Sequence, residues 1–189
     1  MTVVLVTKRV VLALTLVLLL TGATMSTDAP QSLPYTLQEL ALALPTHLPT
    51  TKDVVQAFLH TTLRHLRDTP SMRLYDIATP LVTRDGYIIE EVDVREAMSQ
   101  SNFWRTDERK IFAISLEFGS TPCVSAERLR QILDLPPTPS YVTGPEPGDV
   151  AVYGRDTAWG GYAIDVTNTQ PGCATSMGVG AMHLPNPSS

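Results

Sequence analysis

Cys123 and Cys173 are the two cysteines of this chain, and no other pair constrains its folding as strongly. A bond between them would force the start of one segment to meet the end of another, whatever else the chain does. Whether they bond depends on the compartment, and the N-terminus speaks to that. Lys8 and Arg9 precede the largely apolar run Val10 to Leu20, which is followed by the small residues Thr21-Gly22-Ala23. A basic start, an apolar stretch and a small-x-small site are the order of a secretory signal peptide. The 11-residue run falls short of the roughly 20 residues that a bilayer-spanning helix needs. Residues 1–23 are therefore expected to be a signal peptide cut after Ala23. No cysteine stands at that site to carry a lipid, so no stable membrane anchor is expected after cleavage. The expected location is the periplasm or the outside of the cell. Two cysteines in an oxidising compartment read as a Cys123–Cys173 disulfide.

Removal of residues 1–23 leaves 166 residues, which suits one domain with a real core. The same cut takes Lys8 and Arg9 but no acid, so the net charge moves from −5 to −7. Nucleic acid and anionic membrane surfaces bind basic patches. An acidic exported domain is a poor candidate for either and would more readily meet a basic protein.

Residues 24–34 are polar, contain Pro30 and Pro34, and read as a disordered leader. A single α+β domain is expected over 35–184, with a frayed tail at 185–189. Thr36-Leu37-Gln38-Glu39 has the Thr-x-x-Glu capping pattern, predicting a short helix to Leu44, where Pro45 stops it. Val54, Val55, Phe58, Leu59, Leu63 and Leu66 recur at three- and four-residue spacing, predicting a second helix from Thr51 to Arg67. On that helix His60 and His65 would not share a face, which argues against a metal pair. Alternation predicts a strand over Met72–Ile77. Leu81-Val82 and Tyr87-Ile88-Ile89 flank the tight-turn signal Asp85-Gly86. Asp93 to Gln100 reads as a short helix. From Lys110 to Phe118 strict alternation places Phe112, Ile114, Leu116 and Phe118 on one packed strand face.

Ser125 is a natural N-cap, with Glu127 in the first turn and a Val124/Leu129 staple across the cap. That helix ends at Pro136-Pro137, and a proline-rich extended connection runs to Asp149. Three strands follow, at Val150–Tyr153, Tyr162–Thr167 and about Cys173–Met182, with Asp156 to Gly161 joining the first two. N-terminal helices, a mainly antiparallel sheet, and one helix before a C-terminal three-strand meander make an α+β fold. No internal repeat is visible in the sequence.

The chemistry-bearing residues are sparse. Glu90, Glu91 and Asp93 read as a solvated charge run, with Glu90 and Glu91 on opposite faces of a strand, so no glycosidase pair is expected. Asp149, Asp156 and Asp165 lack the spacing of a calcium loop. The serines lack a nucleophile-elbow context and there is no phosphate-binding glycine loop. No cofactor and no metal are expected. Two aromatic clusters remain as a candidate partner-binding surface: Trp159-Gly160-Gly161-Tyr162 on a loop tip, and Trp104 with Arg105. Trp, Tyr and Arg are the residues that most often anchor protein interfaces.

Cys123 ahead of a capped helix, the Pro147-Gly148-Asp149 strand and the Gly160-Gly161-Tyr162 strand together resemble, in order, the CHAP-type cysteine cell-wall amidases. The resemblance covers roughly 45 residues and implies a Cys123 nucleophile. It departs at the position of the base, which reads Tyr162 where that family has histidine; the one later histidine is His183. A cysteine nucleophile needs a proton acceptor. The helix–proline–hairpin order from Cys123 to Val166 is also similar to the units of beta-lactamase inhibitor proteins and of small outer-membrane assembly factors, which are exported binders. The expectation is an exported, non-catalytic binding protein of inhibitor or immunity type, whose partner is a protein such as a basic secreted enzyme or toxin. The alternatives are a divergent CHAP-like amidase and an envelope assembly subunit.

Overall fold

The computed structural model describes residues 29–98 and 110–181. The expected signal peptide, the tail, Trp104, Arg105 and His183 lie outside the described residues. Strand β1 (Gln31–Ser32) comes first and pairs in parallel with β4 (Leu81–Val82). Leu33 follows it into the core, 3% exposed. Residues 31–33, within the stretch read as a disordered leader, are thus ordered, anchored by one leucine and a two-residue ladder.

Helix α1 (Leu37–Ala43) starts where the capping pattern says. The Thr36 hydroxyl accepts from the Glu39 N–H at 3.2 Å, and the Glu39 carboxylate accepts from the Thr36 N–H at 2.7 Å. A short 3-10 helix, Leu44–His47, carries Pro45 in its first turn. Helix α2 spans Lys52–Phe58, not Thr51–Arg67. Leu59 caps it and His60 turns left-handed at φ 51°, a conformation that ends a helix. The remainder of the expected helix is strand β2 (Leu63–Asp68). Leu66, which the helical spacing had placed in the stripe, is 52% exposed and lies at a bulge between His65 and Arg67.

Strands β3 (Met72–Ile77) and β4 form as predicted, and Gly86 closes the turn after β4 at φ 90°. Strand β5 (Ile88–Ala97) is long and replaces the helix expected from Asp93. Its first half pairs with β4 and its second half with β3, all on one edge. β6 (Ile111–Phe118) pairs along its other edge. Helix α3 (Ala126–Ile132) follows, with the Ser125 hydroxyl accepting from the Arg128 N–H at 3.2 Å. Strands β7 (Tyr141–Val142), β8 (Val150–Thr157), β9 (Gly160–Thr167) and β10 (Ser176–Gly180) complete an α+β fold.

The sheet runs β2-β3-β5-β6-β10-β9-β8-β7, with β4 beside β5 and β1 beside β4. It consists of two antiparallel meanders, β2-β3-β5-β6 and β7-β8-β9-β10, joined where β6 pairs with β10. Each meander is preceded by a seven-residue helix built the same way. Asp53 and Glu127 occupy the first turns; Val55 and Leu129 are buried at 1%. Leu59 and Leu133 are the C-caps, followed by His60 at φ 51° and Asp134 at φ 52°. The start of each helix is bridged to the segment entering the unit's last strand, through Thr50 with Ile111 and Ser125 with Cys173. The chain is thus a structural repeat, contrary to the reading of the sequence. The leucine C-cap, the left-handed residue after it and the buried position recur, while most residue identities and the N-cap bond, made by Ser125 but not by Thr51, do not.

The three helices contribute Leu37, Leu40, Val55, Phe58 and Leu129 to a core shared with Val92, Val94, Ile114, Leu116, Ile164, Met177 and Val179 of the sheet. Two bulges adjust which side chains reach it. One, between Ile89 and Glu91, inserts Glu90, so Ile89 and Val92 are both buried while Glu90 and Glu91 are both exposed. Glu90 and Glu91 were expected on opposite faces of a regular strand; the inserted residue changes the parity. The other bulge, opposite Arg95 and Glu96, inserts Phe112. That residue leaves the face of Ile114, Leu116 and Phe118 and packs with Ala97, Ala113 and Ala181.

Candidate functional site

Helices cover one side of the sheet and leave the other uncovered across β5, β6, β10, β9 and β8. Side chains alternate along a strand, so the register fixes what the uncovered side carries. One row across the strands is Glu91, Glu117, Ser176, Asp165 and Val152; the next is Asp93, Ser115, Gly178, Ala163 and Gly154. The third is Arg95, Ala113, Gly180, Gly161 and Asp156. A groove of about 340 Å³ follows the second and third rows, closed at one end by Arg95 and at the other by Asp156 and Ser140. That volume is at the lower limit for small-ligand sites, roughly 300–1,000 Å³. Its floor is glycine, alanine and serine.

The charge is lopsided. Along β5 to β9 this side carries Glu91, Asp93, Glu117, Asp165 and Asp156. Among the described residues of these strands, Arg95 is the cation that the register places with them; Arg155, which opposes Tyr162 and pairs with Asp134, also lines the groove. The Arg95 guanidinium is taken by Asp93 at 3.1–3.2 Å. Burial pushes the Glu117 carboxyl above its usual range, and the charges of Glu91, Asp93, Asp165 and Glu90 push it further. The Ser176 hydroxyl donates to Asp165 at 2.6 Å. Among the described residues no group of three His, Cys, Asp or Glu side chains is placed to hold a metal ion.

The residues singled out in the sequence fall in different places. Ala158-Trp159 is the two-residue turn between β8 and β9, closed by Thr157 opposite Gly160 and by the Thr157 hydroxyl donating to the Gly160 carbonyl at 2.9 Å. Trp159 does sit at a hairpin tip, but it is half-buried against both hydrophobic clusters. Its ring meets that of Tyr162 edge-on, at 5.3 Å and 89°. Tyr162 opposes Val179 on the helix-covered side, and borders both the groove and a cavity of about 210 Å³ beside Ala41, Ile132 and Leu133. Gly160 presents nothing to a partner: it is buried, and a Cβ there would lie 2.0 Å from the Gly180 carbonyl oxygen. Gly161 belongs to the floor of the groove. The structure thus joins Trp159 to Tyr162, and Gly161 to a surface the sequence did not disclose.

Cys123 and Cys173 are bonded, with Cα atoms 5.5 Å apart. The bond ties Cys123, two residues ahead of the α3 cap, to the segment entering β10. In this state Cys123 offers no thiolate.

A second polar cluster lies near the helix-covered side. The Tyr75 hydroxyl donates to the buried Glu96, and burial raises the phenol above its ordinary range, with Glu96 adding to the rise. The Lys52 ammonium sits 4.6 Å from the Tyr75 ring centre. Arg73 pairs with Asp68 at 2.8 Å and Asp68 also meets His65 at 2.8 Å. These contacts join α2, β2, β3 and β5 and explain why a carboxylate can be buried there.

Among the described residues no helix is long and apolar enough to cross a membrane. No protein-family model, curated protein or solved structure matched this chain in the comparisons.

Proposed function

We propose that this chain is an exported, non-catalytic binding protein that engages another protein in the cell envelope, in the manner of an inhibitor or immunity protein. The observation that carries the reading is the uncovered sheet face, with a groove on a floor fixed by five hydrogen-bonded strands. A surface held by strands loses little conformational entropy on docking. The disulfide supports export, since such bonds persist in oxidising compartments, and occupies the one cysteine that the amidase resemblance would use. The signal-like N-terminus supports the same compartment.

The test is to express the tagged chain in an exporting cell, cross-link, and identify what is held in the envelope and medium fractions. The reading expects a protein joined through residues of the sheet face, and a purified domain that does not cleave cell-wall peptides. Peptide-bond hydrolysis by the purified domain, lost on Cys123→Ser, would overturn it.

A further inference from the structure

We infer that the partner presents a lysine or arginine to the Glu91–Glu117–Asp165 row, with the neighbouring uncharged side chain seated in the groove above Gly178; this rests on the binding-protein reading. Two features of that patch oppose stability, and neither has a packing reason. Glycine inside a strand is disfavoured by roughly 0.5–1 kcal/mol relative to alanine, and commonly marks a close approach of another group. At Gly178 the backbone does not require it: a Cβ would find its nearest neighbour, the Ser115 hydroxyl, at 4.0 Å. Gly160, by contrast, is demanded by the Gly180 backbone. Gly178 therefore keeps open a space that the fold itself does not need.

The acids are the second feature. Glu117 stands among Glu91, Asp93 and Asp165, with its proton held more tightly than an isolated glutamate would hold it. Like charges opposed across strands destabilise a sheet. The two arginines that line the groove are committed elsewhere, Arg95 to Asp93 and Arg155 to Asp134. Local rules broken together at one patch are expected where a surface serves recognition. Charge selects the occupant. A second copy would bring the same acidic rows face to face in a chain of net charge −5, which repulsion opposes. A cationic segment relieves the repulsion around Glu117 as it docks.

The experiment uses the disulfide-bonded domain and short random peptide pools that share a fixed central Lys, Gln or Glu. The Lys pool is expected to bind about tenfold or more tighter than the Gln pool, the scale of one well-made charge-assisted contact. The preference should fade as ionic strength rises past 0.1 M, where screening acts within about 10 Å. Gly178→Val fills the groove, and Glu117→Gln removes the central acid. Each should lower Lys-pool binding about tenfold, while leaving the melting temperature unchanged or higher. Unaltered binding in either variant, or no preference for Lys, would overturn the inference. Binding to no pool would overturn it too, and would leave the broader binding reading to be decided by the cross-linking experiment.

Discussion

Replacing Cys123 and Cys173 together with serine should cost this domain a substantial part of its margin of stability. The bond closes a loop of 50 residues that contains α3, β7, β8 and β9. The chain-entropy relation assigns roughly 4 kcal/mol to a loop of that length, against a total of roughly 5–15 kcal/mol for a typical domain. The native contacts around the bridge do not depend on it. The Ala126 N–H donates to the Gly172 carbonyl at 2.9 Å, and the Ala174 N–H donates to the Val124 carbonyl at 2.8 Å. The loss should therefore act through the unfolded chain, which becomes less compact. Urea denaturation of the two forms checks this. The serine form is expected to unfold with about 2–5 kcal/mol less stability and a steeper dependence on urea, because more surface is exposed. A difference under about 1 kcal/mol with an unchanged slope would refute the argument that the bond braces the second meander.

Trp159→Ala should cost about 2–3 kcal/mol, below the roughly 3–5 of a fully buried aromatic because the ring is half-exposed, yet more than a bare loop tip would lose; chemical denaturation reads it. Gly160→Ala should destabilise by about 1–3 kcal/mol or more, since the new methyl meets the Gly180–Ala181 backbone rather than a movable side chain; a mutant as stable as the parent would contradict the packing described. Glu117→Gln bears on pH. The folded chain holds the Glu117 proton above the ordinary value of 4.5, so its ionisation opposes folding at neutral pH, and stability is regained as pH falls through that raised range. Glu117→Gln should therefore melt higher than the parent at pH 7, and the gain should fade below the ordinary glutamate range.

Much of the fold could be read from local chemistry. The reciprocal cap at Thr36 and Glu39 and the Ser125 cap are decided within four residues, so α1 and α3 begin where the sequence says. The turn at Gly86 and the strand at Ile111–Phe118 follow for the same reason. Errors arose where two periodicities compete. Leu63 and Leu66 fit a helical stripe as well as a strand, and the left-handed His60 that separates α2 from β2 leaves no mark in composition. Asp93 and Arg95 stand on the uncovered face of β5, but the buried Glu96 puts a charge on the other face, so alternation with Val94 did not suggest a strand. Phe112 changes faces at a bulge, which depends on pairing with β5 and lies beyond any single strand's pattern.

The site was harder to see than the fold. The sequence offers large aromatics as anchors, yet Trp159 and Tyr162 spend much of their surface on each other and on the core. The groove is made of what is missing: small side chains on β6, β10, β9 and β8, brought together by register between two meanders. Gly178 and Gly180 lie in a strand-like run, and nothing in the sequence around them announces a groove. The acids Glu91, Glu117 and Asp165 are spread over 75 positions of chain, and pairing alone makes them neighbours. The repeat was invisible for a related reason, since it conserves the helix ending and the buried position but few residues.

The most direct test is hydrogen–deuterium exchange on the chain with and without the partner recovered by cross-linking. Added protection is expected in β6, β9 and β10 around Gly178, with α1, α2 and α3 unchanged. Protection confined to the helices, or to the β8–β9 turn at Trp159, would contradict the claim that the uncovered sheet face is the binding surface.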